Sequence, residues 1–197
     1  MRLFLWPLAF TIIFLIGFAR IVMPIIRPPE ISYTLPVHKT LYLGRGIDEE
    51  EMSHIMEAAL EWNETTNGQV VLDIKMMPQP DVMPSDAVII LNVTPDYPEV
   101  IMLDNTNHYS TLAFFQGKRG IPYIGVVKSR LSNDETTEVV MHEIGHALGL
   151  EHLTGDDGFF TLMSPSVELG SAHITDIDLL YFCKLYHCNS SKFHGHP

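Results

Sequence analysis

The spacing of apolar residues along the first half of the chain predicts strands that alternate with a helix. In residues 48–63 apolar side chains recur every three or four positions while four glutamates lie outside the stripe, as in an amphipathic helix. The stripe consists of Ile47, Met52, Ile55, Met56, Ala59, Leu60 and Trp62. Strand-forming residues dominate the short runs 39–44, 70–76 and 87–93. A helix between strands at this spacing predicts a right-handed crossover to a parallel neighbour.

The second half of the chain changes from a polar stretch to two strands and two helices. Residues 94–110 are rich in Asp, Asn and Glu and predict a loop, followed by strands at 111–116 and 121–128. Ser132, Asn133 or Asp134 can cap a helix that runs to Leu148. Thr175 and Asp178 form a capping-box-like start to a last helix, residues 177–186.

A run of histidines in the first of these helices has the spacing of metal ligands. Residues 142–152 read His-Glu-Ile-Gly-His-Ala-Leu-Gly-Leu-Glu-His. On a helix His142 and His146 lie on one face and can bind one ion, with Glu143 beside its open side. Gly149 can end the helix in a left-handed conformation, so that His152 swings back as a third ligand. Three imidazoles leave one position open, as in a catalytic zinc site.

A methionine turn follows the histidines. Met163 lies in the sequence Thr161-Leu162-Met163-Ser164-Pro165. The extended motif His-Glu-x-x-His-x-x-Gly-x-x-His followed by this turn resembles the metzincin metalloproteases, most of all the matrixin branch. The resemblance covers residues 39–187 and implies an α+β fold. We expect a mixed, twisted sheet of about five strands with three helices, and a zinc cleft between N- and C-terminal subdomains.

The resemblance also implies an activity: a zinc-dependent endopeptidase that hydrolyses proteins or peptides. One zinc ion would be held by His142, His146 and His152, above a floor formed by Met163. A zinc-bound water would attack the peptide carbonyl with Glu143 as general base. The substrate would lie extended along a strand edge, with a pocket wall after the turn. The residues expected to contact it are Thr111, Leu112, Ala113, Phe114, Pro165 and Val167.

Other metals and other functions stay open at this stage. Matrixins carry structural zinc and calcium in the region that corresponds to residues 94–110, but no His-x-Asp pair occurs there, which argues against structural zinc. Structural calcium remains an alternative to a solvated loop. The main alternative to an enzyme is a zinc-binding recognition module without catalysis at a membrane surface. A structural protein that inherited a protease fold is a third class, although retention of Glu143 argues against both.

The N-terminal residues are apolar enough to enter a membrane. Residues 3–19 carry no charge, Arg20 interrupts the run, and residues 21–26 extend it. This predicts a membrane anchor or a cleaved signal peptide over residues 1–27, with the anchor favoured because apolar character continues past the possible cut. A Pro-rich linker follows at 28–38, then the catalytic domain at 39–188 and a disordered tail at 189–197. We expect the domain on the non-cytoplasmic side, or secreted, although Arg20 and Arg27 oppose that orientation.

Charge and cysteine content narrow the partners. Acidic residues number 24 against 12 basic ones, a formal charge of −12, and no basic stripe appears, so a nucleic-acid partner is not expected. Cys183 and Cys188 can form a small local disulfide or remain free thiols. Neither the oligomeric state nor the natural substrate follows from the sequence.

Overall fold

The computed structural model describes residues 34–77, 83–107, 110–117, 120–153, 161–165 and 173–193, which all belong to the unit Ser32–Pro197. Within these ranges no helix has the length and apolar character needed to cross a membrane. The predicted anchor or signal peptide at 1–27 lies outside the described residues.

One mixed sheet forms the centre of the fold. Its strands are β1 (Val37–Leu43), β2 (Val70–Met76), β3 (Ala87–Asn92), β4 (Ala113–Gln116) and β5 (Tyr123–Val126). They are ordered β2-β1-β3-β5-β4, with β4 antiparallel at one edge and every other pairing parallel. The predicted mixed sheet of five strands and the parallel pairing across the first helix are confirmed.

The described residues form four α-helices, where three were predicted. They are α1 (Glu49–Thr65), α2 (Pro98–Asn107), α3 (Asn133–Ala147) and α4 (Asp176–Tyr186). The predicted loop at 94–110 is wrong because it contains α2. This helix shows no apolar stripe: Val100 is fully buried, whereas Ile101 and Met102 are 45% and 57% exposed. Its position depends on packing of Val100 near Phe114 and Val127, which are distant in sequence.

The buried face of α1 differs in part from the predicted stripe. Ile55, Ala58, Ala59 and Trp62 are buried, as their helical spacing requires. Met56 and Leu60 were placed on the same face, but they are 53% and 54% exposed. These two residues are four apart and follow Ile55 and Ala59 directly, so they lie about 100° around the helix from the buried row. The apolar pattern was wider than the face that the sheet can cover.

Trp62 joins α1 to the helix that carries the histidine motif. Its side chain is fully buried, its Nε1–H donates to the carbonyl of Met141 in α3 at 2.9 Å, and its ring lies 6.3 Å from that of Phe182 in α4. The same core cluster includes Leu41 and Ile90 from the sheet. A buried indole with its polar atom satisfied stabilises the contact through both apolar area and a hydrogen bond. Three of the helices are thereby fixed relative to one another.

The C-terminal end of the described chain is tied to this core. Cys183 and Cys188 form a disulfide, which resolves the alternative left open by the sequence. A 3-10 turn follows at Ser190–Lys192, and the ring of Phe193 lies 6.2 Å from that of Phe182. This turn lies within the predicted tail, residues 189–197, whose disorder stays a prediction. Residues 194–197 of that tail lie outside the described residues.

Candidate metal centre

Local backbone chemistry sets both ends of α3. At its start Ser132 is the N-cap, and the Glu135 carboxylate accepts from the Ser132 N–H at 2.6 Å and hydroxyl at 2.7 Å. At its end Gly149 has a φ of 92°, the left-handed conformation predicted for it. The N–H of Leu150 donates to the carbonyl of Gly145 at 3.0 Å, and the N–H of Gly149 donates to the carbonyl of His146 at 2.9 Å. These two bonds form a Schellman motif, which turns the chain back toward the helix face.

That turn brings three histidines of the motif together. The Nε2 atom of His152 lies 3.1 Å from the Nε2 atoms of both His142 and His146. A tetrahedral ion with metal–nitrogen bonds of about 2.0–2.1 Å requires nitrogens roughly 3.3 Å apart. The observed spacing fits such an ion within a few tenths of an ångström. The sequence prediction that these three side chains converge is consistent with the structure.

The other ring nitrogens fix which atoms face the centre. His142 Nδ1 lies 2.6 Å from the carbonyl of Leu162, and His146 Nδ1 lies 2.8 Å from the carbonyl of Leu150. Because a carbonyl only accepts, each Nδ1 carries the hydrogen and each Nε2 presents a lone pair. Both lone pairs face His152 Nε2, which carries at most one hydrogen and so cannot fully satisfy the two, whereas a cation between the three nitrogens can. The donor set therefore fits a metal ion such as zinc.

Burial keeps these imidazoles neutral. It is the largest cause that lowers the pKa of His142 to about 3, followed by the neighbouring His146. Burial also lowers the pKa of His146 and of His152. A neutral imidazole is the form that binds a metal, so the protein environment favours the binding-competent state.

Glu143 is a buried carboxylate that follows His142 directly in the chain. Its side chain is 6% exposed, and its Oε2 has no hydrogen-bond partner among the described residues. Burial raises the pKa of Glu143 to about 8. An unpaired buried carboxylate is costly, and a cation held by the adjacent histidines would offset that cost.

Met163 lies under the motif, against a glycine. Residues Thr161 to Ser164 form a turn closed by the Ser164 N–H and the Thr161 carbonyl at 3.1 Å, and Met163 is 1% exposed. A Cβ atom at Gly145 would overlap the Met163 sulfur. Glycine at this variable position of the motif therefore lets the methionine pack directly on the α3 backbone.

Asp178 holds this turn, a role that the sequence did not indicate. Its fully buried carboxylate accepts from the N–H groups of Leu162 and Met163 at 3.0 and 3.1 Å, and from Thr175 at its N–H and hydroxyl. The Leu162 peptide in turn accepts from His142. A chain of two contacts thus links α4 to the first ligand. The predicted capping box between Thr175 and Asp178 is present. A capping box does not indicate that the same carboxylate also binds the backbone of the methionine turn.

The residues expected to contact substrate differ in how far the structure exposes them. Phe114 is 7% exposed, and its ring packs against Tyr97 and Tyr123. Its side chain is therefore used inside the protein. Thr111, Leu112 and Ala113 are partly buried at the start of the β4 edge, and Pro165 is exposed after the turn. Val167 lies outside the described residues.

Structural calcium has no support in the described part of the chain. There, the cluster of His142, His146 and His152 is the one group of three or more His, Cys, Asp or Glu side chains arranged to hold an ion. Asp104, in the segment considered for calcium, instead forms an ion pair with Arg130 at 2.9 Å. A guanidinium supplies the positive charge at that carboxylate.

Comparison with known proteins identifies the fold. No family model and no curated protein matches the sequence. Archaemetzincin from Methanopyrus kandleri is 13% identical with a TM-score of 0.50, over 81% of this chain and 99% of the other. High choriolytic enzyme 1, a hatching enzyme zinc-protease from Oryzias latipes (medaka fish), is 11% identical with a TM-score of 0.50, over 83% and 98%. Myroilysin is 14% identical with a TM-score of 0.48, over 82% and 98%.

The first two likenesses confirm the predicted α+β, metzincin-like fold. The histidine cluster occurs in a chain with the fold of a zinc-protease, which agrees with the expectation of a zinc site. Neither likeness distinguishes among branches of the fold, so the matrixin branch remains a prediction.

Proposed function

We propose that this chain is a zinc-dependent endopeptidase in which His142, His146 and His152 hold the ion and Glu143 is the general base. One observation carries the proposal. Three Nε2 atoms converge, with that of His152 at 3.1 Å from each of the other two, while backbone carbonyls fix the Nδ1 hydrogens of His142 and His146. The buried carboxylate of Glu143 lies next to them in sequence and has a raised pKa. The fold shared with a hatching enzyme zinc-protease supports the same conclusion.

The chemistry divides between the ion and the protein. When bound, the ion acts as a Lewis acid that polarises the scissile carbonyl and lowers the pKa of water. Glu143 takes a proton from the attacking water as its oxygen bonds to the carbonyl carbon. The protonated Glu143 then gives that proton to the amine nitrogen as the carbon–nitrogen bond breaks.

The substrate of such an enzyme would be an extended protein or peptide segment. Strand β4 is an edge of the sheet and packs against α3, the helix that carries the histidine motif. Backbone groups at an open edge can add a further strand, which recognises the main chain of a peptide with little regard to sequence. Pro165 and Val167 remain our candidates for the wall of the pocket beyond the scissile bond.

We propose in addition that residues 3–26 place the domain at a membrane. The apolar run is long enough to cross a bilayer if it tilts or if Arg20 reaches the interface. Recovery of the full-length chain in membranes, with the domain open to added protease on intact cells, would support an anchor with the domain outside. A soluble product that begins near Arg20 would show a cleaved signal peptide. Protection of the domain from the added protease would reverse the orientation.

The function is tested by removing and restoring the metal. The full chain should cleave members of a peptide library, lose cleavage when zinc is chelated, and regain it with stoichiometric zinc. His152→Ala should lose both zinc and cleavage, whereas His38→Ala, which removes an exposed imidazole from β1, should keep both. A zinc-loaded protein that cleaves no peptide would favour the recognition module instead. Cleavage that survives full removal of zinc would contradict the proposal.

A further inference from the structure

An ion pair lies at the start of the edge strand and holds one residue by both of its backbone groups. Arg130, in the 3-10 turn Lys128–Arg130, donates from Nη2 to Asp104 Oδ2 at 2.9 Å and from Nη1 to Asp104 Oδ1 at 3.2 Å. The same Nη1 donates to the carbonyl of Thr111 at 2.8 Å. The Thr111 N–H donates to Asp104 Oδ1 at 2.6 Å. Asp104 in α2 and Arg130 therefore act on Thr111 as one unit.

The Asp104–Arg130 pair is held in a more restricted orientation than a typical surface ion pair. Both side chains are partly buried, with exposures of 21% for Arg130 and 27% for Asp104. The guanidinium binds the carboxylate through two nitrogens, a paired arrangement that restricts orientation as well as distance. The hydrogen bonds from Arg130 and from the Thr111 backbone hold the pKa of Asp104 well below its usual range. The Asp104 carboxylate is thus negatively charged near neutral pH, opposite the guanidinium.

The register of β4 shows what Thr111 would otherwise do. The Val127 N–H donates to the Leu112 carbonyl at 2.8 Å, so Leu112 faces β5. Antiparallel strands alternate between bonded and non-bonded pairs, and Ala113 lies opposite Val126, one step along. The backbone groups of Ala113 and Phe115 therefore point to the open edge, as do those of Thr111. Of these three residues, Thr111 is the one whose N–H and carbonyl are both taken by the ion pair.

We infer that the Asp104–Arg130 pair is a positioning device that sets the conformation of the peptide-binding edge. By holding Thr111 through both of its backbone groups, it presents Ala113 and Phe115 to a peptide in an extended conformation. The consequence for peptides rests on the proposed function, whereas the hold on Thr111 does not.

Kinetics with two lengths of one peptide test the inference. The best-cleaved library peptide would be compared with a form trimmed to the residues that flank the scissile bond. Asp104→Ala and Arg130→Ala should raise KM for the long peptide about tenfold, the effect of losing one or two strand hydrogen bonds, and leave kcat for the trimmed peptide within about twofold. Lys128→Ala removes a cation from the same turn, whose Nζ lies near Thr136, and should change neither value.

A charge exchange separates positioning from general electrostatic stabilisation. In the double variant Asp104→Arg with Arg130→Asp the two charges still attract, but a donor now faces the Thr111 N–H and an acceptor faces its carbonyl. KM for the long peptide should therefore stay raised. Restoration of the wild-type KM, or an equal fall of kcat for both peptides in the single variants, would overturn the inference.

Amide hydrogen exchange tests the hold on Thr111 without any substrate. In the wild-type protein the Thr111 amide should be protected, and in Asp104→Ala it should exchange at least about tenfold faster, because it would then point to water at an open edge. An unchanged rate would overturn the inference even if the protein proves to be a peptidase. A faster rate in a protein that cleaves nothing would instead locate the error in the proposed function.

Discussion

At the scale of single residues, Gly145 shows how closely the motif helix and the methionine turn are packed. The motif leaves this position variable, and a helix interior normally disfavours glycine relative to alanine. Here a Cβ atom would overlap the Met163 sulfur and would lie 3.3 Å from the Trp62 ring. Glycine at this position lowers helix propensity but allows direct contact between the turn and the helix backbone.

Replacing this glycine sets two effects against each other. Helix propensity alone predicts that Gly145→Ala stabilises the protein by about 1 kcal/mol. Overlap with a buried methionine predicts a loss of about 1–3 kcal/mol, which we expect to prevail because Met163 is 1% exposed and has little room to move. Urea unfolding of the zinc-loaded protein measures the sign. Met163→Leu, which keeps volume and polarity, should cost less than about 1.5 kcal/mol. A stabilised Gly145→Ala variant would show that the contact is looser than described.

Sequence reasoning succeeded where a residue's role follows from its neighbours in the chain. The spacing of His142 and His146 and the helix-ending role of Gly149 depend on helical geometry within one motif, and these could be predicted. The role of Gly145 depends on the side chain of Met163, eighteen positions further along the chain, so it could not be predicted from local sequence. Phe114 lies on the predicted edge strand, but its packing with Tyr97, from a distant segment, could not be predicted.

At the scale of secondary-structure elements, α4 supports the metal centre through the turn. Asp178 accepts four hydrogen bonds, two of them from the backbone of the methionine turn, and the turn carbonyl at Leu162 accepts from His142. A ligand whose second nitrogen is anchored in this way is held in the orientation that the metal requires. A substitution in α4 that weakens these hydrogen bonds should therefore also weaken zinc binding.

Removing the charge of Asp178 tests this link. Asp178→Asn keeps the shape but places an NH2 group against backbone donors, so at least one buried N–H loses its acceptor. We expect a loss of about 2–4 kcal/mol in unfolding free energy and weaker retention of zinc in competition with a chelator. Asp176→Asn, at an exposed position in the first turn of α4, should leave both nearly unchanged. Equal zinc retention in the two variants would show that α4 does not support the ligand.

Elements with strong local patterns were predictable, and those fixed by tertiary contacts were not. The capping residues Ser132 and Thr175, both expected from the sequence, each precede a helix that the structure contains. Helix α2 was missed because one buried valine does not make a periodic pattern. The ring contact between Phe193 and Phe182 likewise depends on packing and not on a local pattern.

At the scale of the whole molecule, neutral buried imidazoles couple the fold to pH. Unfolded histidine has a pKa near 6.5, whereas burial lowers the pKa of His142 to about 3 and also lowers those of His146 and His152. The unfolded state therefore binds more protons between these values. The stability contributed by neutral histidines is fully present above pH 6.5 and is lost as pH falls toward 3. Glu143 acts in the opposite sense, because its raised pKa gives stability that is lost as pH rises from 4.5 through about 8.

The lowered pKa values of the three histidines predict a fold that loses stability in acid once Glu143, which has the opposite effect, is replaced. In metal-free Glu143→Gln protein, the free energy of unfolding should fall steadily as pH decreases from 6.5. Adding His152→Ala to that background should make the fall less steep, because one of the three titrating groups is gone. Urea unfolding at several pH values gives both slopes. A free energy that does not change with pH over this range would contradict the assigned neutral state of the cluster.

The central claim is that one buried carboxylate performs proton transfer at a metal held by three histidines. Zinc content and peptide cleavage measured on the same preparations of wild-type and Glu143→Ala protein test it most directly. We predict one zinc per chain in both proteins and a loss of cleavage of at least about a hundredfold in the variant, because the ligands remain while the base is gone. Near-wild-type cleavage by Glu143→Ala protein at full zinc occupancy would contradict the account.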